Sequence, residues 1–128
     1  NLISKYKMQQ IIHIFNFTKN IDYFYKRADL VIAPSLSMES FGYTAIEAMS
    51  YKIPVIASNI GGLKEIITDN INGYLVKPND YLDISKKIRK LINDNDLRQS
   101  FGKYAYSHYK KNFSSKLMTD KYIGLIKQ

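Results

Sequence analysis

The 128-residue sequence contains no cysteine and no tryptophan, and it has only three prolines and six glycines. Without cysteine the chain can form neither disulfide bonds nor thiolate metal sites. It also lacks long apolar runs, because no stretch approaches the ~20 apolar residues that a membrane-spanning helix requires. A disulfide scaffold and a cysteine-based metal centre are therefore excluded, and nothing in the sequence predicts a membrane-spanning segment.

What the chain does contain is enough apolar sequence for a packed core. Hydrophobic residues make up 45% of the chain and charged residues 23%. These fractions are typical of folded globular proteins and not of intrinsically disordered ones. At this length we expect one domain spanning residues 1–128.

The net charge of +8 raises the question of nucleic-acid binding. Most of the basic residues are lysines, which accompany many isoleucines and asparagines, as AT-rich codon usage produces. The excess is also uneven, since residues 39–84 carry a net −3 and residues 85–128 a net +8. We expect no nucleic-acid partner, and binding through the basic C-terminal segment is kept as an alternative.

The order of apolar runs and helical patterns predicts the fold class. Four short apolar runs predict strands, at Ile11–Phe15, Leu30–Ala33, Pro54–Ala57 and Tyr74–Val76. We expect Leu30–Ala33 to be buried on both faces, because it is continuously apolar. Helices are predicted between and after the strands, at residues 21–28, 44–51, 61–67, 80–92, 97–109 and 114–127. Strands that alternate with helices predict an α/β protein with a parallel sheet and a helical C-terminal tail.

Glutamate is scarce, and its few positions are grouped. The sequence has only Glu39, Glu47 and Glu65. Glu39 follows the strand Leu30–Ala33, and Glu47 lies seven residues further, in the next predicted helix. Ligands of parallel α/β sheets bind at the carboxyl ends of the strands. Glu39 and Glu47 are therefore predicted to lie at a binding site, and the alternative is that both are solvated surface residues.

Two glycine-containing turns accompany these carboxylates. Residues 40–44 open a helix, with Gly42 allowing close approach of a ligand, and Gly61-Gly62 open another. Helix N-termini attract phosphate groups, and carboxylates accept hydrogen bonds from the hydroxyls of a diol. Together they suit a ligand made of a sugar, a diphosphate and a ribose.

The amino-acid sequence of this region resembles that of the C-terminal domain of retaining GT-B glycosyltransferases, the group 1 family. The blocks that carry the resemblance are ADLVIAPS (28–35), ESFGYTAIEAM (39–49), PVIAS (54–58), GGLKEII (61–67) and NGYLV (72–76). Glu39 and Glu47 match the two ends of the family's E-x7-E motif. The resemblance runs from about Ile11 to the last helix and implies a Rossmann-like domain that binds a nucleotide-diphosphate sugar.

The resemblance also implies roles for individual residues. Glu39 would be the catalytic carboxylate, contacting the transferred sugar near the reacting carbon, and Glu47 would bind the ribose diol. Glu65 would be structural. The remaining donor-binding residues would be Ser40, Phe41, Gly42, Tyr43 and Thr44 at the sugar and diphosphate, Gly61 and Gly62 in the same cleft, and Phe17 and Thr18 near the base.

No metal and no cofactor besides the donor substrate are implied, because helix termini and basic side chains would stabilise the departing diphosphate. The implied acceptor is a glycan or a lipid-linked glycan, bound through an N-terminal domain that lies outside this sequence. The family's Arg…Lys pair and its first strands are also outside the sequence. We therefore interpret the chain as a partial donor domain that is inactive alone. A non-catalytic nucleotide-sugar-binding or interaction module is the alternative.

The resemblance does not determine where the predicted strand Ile11–Phe15 lies in the sheet. In the Rossmann order two further strands would separate it from Leu30–Ala33. Ile11–Phe15 would then either detach from the sheet or pair directly with Leu30–Ala33. The third alternative is that a strand of another chain occupies the position of the missing strands. The last case predicts homo-association of the chain.

Several further patterns have simpler explanations. Asp94-Asn95-Asp96 matches the D-x-D metal motif of another glycosyltransferase fold, but its place between two predicted helices favours a helix cap. His13 is predicted to be a strand residue and His108 a surface helix residue. The mixture of tyrosine and lysine at 104–111 predicts a solvated helix, with peripheral membrane contact as a further alternative. We expect a cytoplasmic location, with contact at the inner membrane face as a variant.

Overall fold

The computed structural model describes residues 1–37 and 39–126, which form a three-stranded sheet with helices on both sides. The strands are β1 (Val31–Ala33), β2 (Val55–Ser58) and β3 (Gly73–Val76). The helices are α1 (Leu2–Lys5), α2 (Asp22–Tyr25), α3 (Tyr43–Ser50), α4 (Leu63–Ile66), α5 (Tyr81–Asn93), α6 (Asn95–Asn112) and α7 (Ser115–Ile126).

The sheet is parallel, with the order β1-β2-β3. Val31 is paired with Val55, and Ile56 with Tyr74. All four residues of the central strand β2 are buried. The predicted parallel α/β sheet is therefore confirmed, with β2 as its fully buried strand.

Side chains of β2 point alternately to two cores on opposite faces of the sheet. Val55 and Ala57 belong to a core that includes residues of α3 and α4. Ile56 belongs to the other core, with Tyr74, Leu91 and Phe101. This division explains why β2 is continuously apolar in sequence, since both of its faces are covered by helices.

Aspartates begin the two long helices α5 and α6. The Asp80 carboxylate accepts a hydrogen bond of 2.9 Å from the Asp83 amide, and Asp94 accepts one of the same length from the Leu97 amide. Both are N-cap interactions, which satisfy amides that have no partner inside the helix. The helix-cap interpretation of Asp94 is confirmed.

The prediction of a strand at Ile11–Phe15 is wrong. These residues form no strand, and their apolar side chains are exposed, with Ile11 and Ile14 each 74% accessible. An extended segment needs a neighbouring strand for its backbone hydrogen bonds, and β1 has none on its outer side among the described residues. Direct pairing with β1 is therefore excluded and the segment is detached from the sheet, while filling of the gap by another chain stays a prediction. His13 is accordingly not a strand residue.

The burial predicted for Leu30–Ala33 is also corrected. β1 is only partly buried, and Ile32 is 38% exposed, because the strand lies at the edge of the sheet. In α5, Leu91 is buried and Ile84 and Ile88 pack against the second core, but Ile92 is 58% exposed. Ile92 follows Leu91 by one residue, which turns its side chain about 100° around the helix and away from that core.

The C-terminal region is helical, as predicted, and α7 ends at Ile126. The prediction that this helix reaches Lys127 concerns a residue outside the described part. Within residues 1–37 and 39–126, no helix combines the length and the apolar character needed to cross a bilayer.

Candidate functional site

The candidate site lies where β1 and β2 end. The chain leaves β1 through residues 34–37, and residues 39–42 lead into α3. The chain leaves β2 through residues 59–62, which contact Glu39. The Gly62 amide donates a hydrogen bond of 2.8 Å to the Glu39 carbonyl. A Cβ on Gly61, whose φ is +49°, would lie 2.2 Å from the same carbonyl oxygen. Only glycine permits this contact.

Gly42 begins α3 in the left-handed conformation, with a φ of +73°. Its carbonyl accepts hydrogen bonds from the amides of Ala45 and Ile46. The preceding amides of Tyr43 and Thr44 donate to no other backbone group in the described part of the chain. Since glycine provides no capping side chain, these two amides are available to a ligand, and the helix dipole makes this end favourable for an anion.

Glu39 is half-buried beside the end of β1. Its Oε2 accepts a hydrogen bond of 3.1 Å from Ser35 Oγ. Ser35 follows the strand by two residues, so the rigid sheet fixes the hydroxyl that orients the carboxylate.

Glu47 lies in the second turn of α3, and its side chain is exposed. Its Oε2 accepts a hydrogen bond of 2.8 Å from the hydroxyl of Tyr25, which comes from α2. Burial, and then the hydrogen bond to Glu47, raise the pKa of Tyr25 well above its usual value. The hydroxyl therefore stays protonated and acts as the donor.

A cavity of about 550 Å³ opens beside Glu47. Its wall consists of Phe15, Asn16, Phe17, Thr18, Ile21, Phe24 and Glu47. The ring of Phe17 is 91% exposed and so is accessible to a ligand. The structure thus places Phe17 and Thr18 in the same cavity as Glu47.

A second cavity, of about 270 Å³, is lined by Ser40 and Phe41. Gly62 and Glu65 also line it, and α6 contributes His108. His108 is half-buried, and burial lowers its pKa, so the prediction of an ordinary surface residue is corrected. Glu65 is exposed at this cavity and has no side-chain hydrogen bond among the described residues, so the structure shows no structural role for it.

A third cavity, of about 440 Å³, lies at the amino ends of the strands. Asp29, Pro54 and Arg98 contribute to it. It shares Tyr25 with the candidate site but none of the predicted site residues. The Arg98 guanidinium there donates to the carbonyl of Leu91 at 2.8 Å, a contact that joins α5 to α6.

Three of these contributors were not predicted as site residues from the sequence. They are Tyr25, within the predicted helix 21–28, Ser35, which follows the predicted strand Leu30–Ala33, and His108, predicted to be a surface helix residue. Tyr25 offered a partial signal, because a tyrosine in an apolar stripe needs a partner for its hydroxyl. Across residues 1–37 and 39–126, no three His, Asp or Glu side chains are grouped as they would be to hold a metal ion.

The comparisons with known proteins define the family. The family model described as glycosyl transferases group 1 matches residues 1–108. The chain therefore belongs to the group 1 glycosyltransferase family.

Named relatives agree with this assignment. An uncharacterized glycosyltransferase of Methanocaldococcus jannaschii, MJ1178, is 39% identical over 77% of this chain and 26% of its own length. The capsular polysaccharide biosynthesis glycosyltransferase CapM of Staphylococcus aureus is 33% identical over 74% of this chain and 25% of its length. This chain thus spans about a quarter of these relatives.

The fold is that of a GT-B glycosyltransferase domain. A crystal structure of HepE from Anabaena in complex with UDP superposes with a TM-score of 0.92 at 22% identity, covering 98% of this chain and 34% of that one. This match shows a Rossmann-like architecture.

Proposed function

We propose that the chain is the donor-binding part of a retaining glycosyltransferase, which transfers a sugar from a nucleotide-diphosphate sugar to a glycan or lipid-linked acceptor. The observation that carries this proposal is the pair of carboxylates on either side of one uncapped helix N-terminus. Glu39 precedes α3 and is held by Ser35, while Glu47 lies within α3 and is held by Tyr25. Glu39, the N-terminus of α3 and Glu47 thus follow one another in the same order as the sugar, the diphosphate and the ribose of a nucleotide-diphosphate sugar.

The nucleoside end of the donor is assigned to the Glu47 cavity. Two oxygens of a carboxylate can accept hydrogen bonds from both hydroxyls of a ribose diol. The exposed Phe17 ring offers a surface for the base, and Thr18 offers a polar group at its edge. A cavity of about 550 Å³ has room for a nucleoside.

The diphosphate is assigned to the N-terminus of α3. The free amides of Tyr43 and Thr44 supply donors. Gly42 is buried against Leu63 and Ile66, so its left-handed conformation shapes the start of the helix, and the close approach of a ligand predicted for it is not observed. The glycines at 61 and 62 line the same cleft, and their contact with residues 39–41 keeps it in shape. Amide dipoles provide the charge stabilisation, and we propose that no metal ion takes part.

The transferred sugar is assigned to Glu39 and the backbone of Ser40 and Phe41. A half-buried carboxylate there would accept hydrogen bonds from sugar hydroxyls beside the reacting carbon. Since positive charge develops on that carbon in the transition state, the contact would strengthen during the reaction and accelerate it.

Two similar proteins support this proposal. The S. aureus relative is named for capsular polysaccharide biosynthesis, which fits a glycan or lipid-linked acceptor. Structures of the Anabaena protein contain UDP or UDP-glucose, so UDP is the first nucleotide to test. The acceptor, the cytoplasmic location and contact with a membrane stay predictions.

The proposal is tested by calorimetric titration of the chain with UDP, GDP and ADP. We expect one of them to bind saturably and Glu47→Gln to weaken its binding about 10-fold, as loss of a charge-assisted hydrogen bond would. Glu65→Gln is the matched control, because Glu65 is also an exposed helical glutamate but lies outside the nucleoside cavity. Equal effects of the two substitutions would contradict the assignment of Glu47.

The role of Glu39 is tested in a full-length enzyme that carries this domain. We expect Glu39→Gln to lower kcat by roughly 10- to 100-fold, the equivalent of about 1–3 kcal/mol, with a much smaller effect on nucleotide affinity. Glu47→Gln should mainly weaken nucleotide binding, with a much smaller effect on kcat. If both substitutions left turnover and binding unchanged, neither role would stand.

A further inference from the structure

We propose that Tyr25 is a positioning residue for the donor site: its hydroxyl holds the Glu47 carboxylate in the orientation that meets the ribose hydroxyls. This inference rests on the proposed function, since it assigns a second residue to the ribose end of the same site. It depends on a tertiary contact between α2 and α3 that joins residues 22 positions apart.

The first support is the geometry of the contact itself. The Tyr25 hydroxyl donates to Glu47 Oε2 at 2.8 Å, an ordinary length for a hydrogen bond between oxygens. Tyr25 is only 8% exposed, whereas Glu47 is exposed on its helix. The buried partner is thus fixed by packing, and the exposed partner is fixed by the buried one.

The second support is a chain of contacts that fixes the Tyr25 ring. Tyr25 stacks on Tyr51, with 5.3 Å between ring centres and 19° between planes. The Tyr51 hydroxyl donates to Asp22, whose carboxylate also pairs with Lys26. Tyr51 follows the last residue of α3, so both ends of this network tie α2 to α3.

The third support is that α2 also builds the nucleoside cavity. Ile21, the N-cap residue of α2, and Phe24, the residue before Tyr25, line the cavity together with Glu47. One short helix therefore shapes the apolar wall and orients the carboxylate. Displacement of α2 would change both at once.

The contact between Tyr25 and Glu47 would favour ribose binding because it restricts the Glu47 side chain before the ligand arrives. A free glutamate side chain on a helix surface samples several rotamers, and a ligand must select one of them at an entropic cost. One hydrogen bond at Oε2 removes much of that freedom while Oε1 and the remaining lone pairs stay available for two hydroxyls. The raised pKa of Tyr25 keeps its proton in place at neutral pH.

The test measures ribose recognition and not affinity alone. The chain is titrated with UDP, GDP and ADP and with their 2′-deoxy counterparts, and the ratio of the two Kd values is taken for the nucleotide that binds best. We expect the wild type to prefer the ribonucleotide. Tyr25→Phe, which keeps the ring and removes the hydroxyl, should lower that preference about 3- to 10-fold, since it removes one hydrogen bond to a charged group.

Tyr23→Phe is the matched control, because it also removes a tyrosine hydroxyl from α2, but Tyr23 is exposed and its hydroxyl has no hydrogen bond to Glu47 or to the contacts that fix the Tyr25 ring. It should leave the ribose preference unchanged. The double variant Tyr25→Phe/Glu47→Gln should lose no more preference than Glu47→Gln alone, because both changes remove one function.

The outcomes separate this proposal from the proposed function. If Glu47→Gln lowers the ribose preference and Tyr25→Phe does not, the Tyr25 proposal is overturned and the donor site stands. If Tyr25→Phe lowers only the melting temperature, Tyr25 is structural and the proposal fails. Absence of binding by all three nucleotides would overturn both.

A measurement on the wild type covers the case in which Tyr25→Phe does not fold. The hydroxyl proton of Tyr25 should give a slowly exchanging NMR signal with a cross-peak to the Glu47 side chain. The proposal requires that signal to persist when the best nucleotide saturates the site. Its loss on saturation would show that the contact breaks on binding and would overturn the proposal.

Discussion

The backbone amide of Gly62 donates a hydrogen bond of 2.8 Å to the carbonyl of Glu39. This bond joins the connection that follows β2 to the one that follows β1, at the residue proposed to contact the transferred sugar. The two glycines at 61 and 62 are needed because a Cβ at either would meet backbone atoms of residues 39–41 within 3.0 Å. The position of Glu39 therefore depends on residues more than 20 positions away in sequence.

The first prediction follows from this contact. Gly61→Ala should lower the free energy of unfolding by about 1–3 kcal/mol, because alanine is strained at positive φ. The added methyl group should also displace Glu39 and weaken binding of the donor nucleotide. Urea unfolding and calorimetric titration measure the two effects.

Gly102→Ala is the matched control for that substitution. Its Cβ would lie 2.1 Å from the Lys52 carbonyl, away from the donor site, so it should destabilise the fold and leave the nucleotide Kd unchanged in the folded protein. If both variants changed the Kd equally, the effect of Gly61→Ala would reflect general loss of stability.

The second prediction concerns Asp94, the first residue of the D-x-D sequence. Asp94→Ala should lower the free energy of unfolding by about 0.5–2 kcal/mol, because it removes the N-cap of α6. Mn²⁺ or Mg²⁺ should change neither the nucleotide Kd nor the stability of the wild type. Asp96→Ala, which leaves the cap intact, is the control for stability. A metal-dependent gain in nucleotide affinity that Asp94→Ala abolishes would contradict the cap assignment.

A large part of the fold could be predicted from the sequence because its signals are local. The apolar run of β2 and the N-cap aspartates of α5 and α6 each act within a few residues. The strand at Ile11–Phe15 was predicted on the same grounds and is wrong. A strand exists only with a partner, and no residue within the segment reports whether one is present.

Only some residues of the candidate site could be predicted from the sequence. Glu39, Gly42 and Glu47 could be found because their spacing and the family resemblance mark them. Their partners could not, because the contacts of Ser35 with Glu39 and of Tyr25 with Glu47 depend on where the chain returns in space. The half-buried state of His108 likewise depends on the folded structure, in which the Phe113 ring lies 5.6 Å from the imidazole.

The third prediction concerns pH and His108. Burial lowers the pKa of His108 below its usual value of 6.5 in the folded protein. As the pH falls below about 6.5 the unfolded chain takes up the proton first, so this group lowers stability on the acidic side. His108→Gln should therefore reduce the loss of melting temperature between pH 7 and pH 5.5. His13→Gln, at an exposed position, is the control. An unchanged pH dependence in His108→Gln would contradict the prediction.

The fourth prediction concerns association of the chain. β1 pairs only with β2 among the described residues, so its other edge offers free N–H and C=O groups beside the exposed Ile32. An exposed strand edge can pair with a strand of another chain, and charged side chains at the edge oppose this pairing. Light scattering should show a mass that increases with concentration, and Ile32→Lys should reduce the increase. Leu82→Lys, at an exposed position of α5, should not. A constant monomer mass would contradict this prediction.

The central claim is that a nucleoside diphosphate binds at the carboxyl ends of β1 and β2. The most direct measurement is the change in backbone amide NMR shifts as UDP, GDP or ADP is added to the chain. We predict saturable shifts at Thr18, Gly42, Thr44 and Gly61, and little change in the cavity at the amino ends of the strands. Shifts confined to residues around Asp29 and Arg98, or no saturable shift with any of the three nucleotides, would contradict the account.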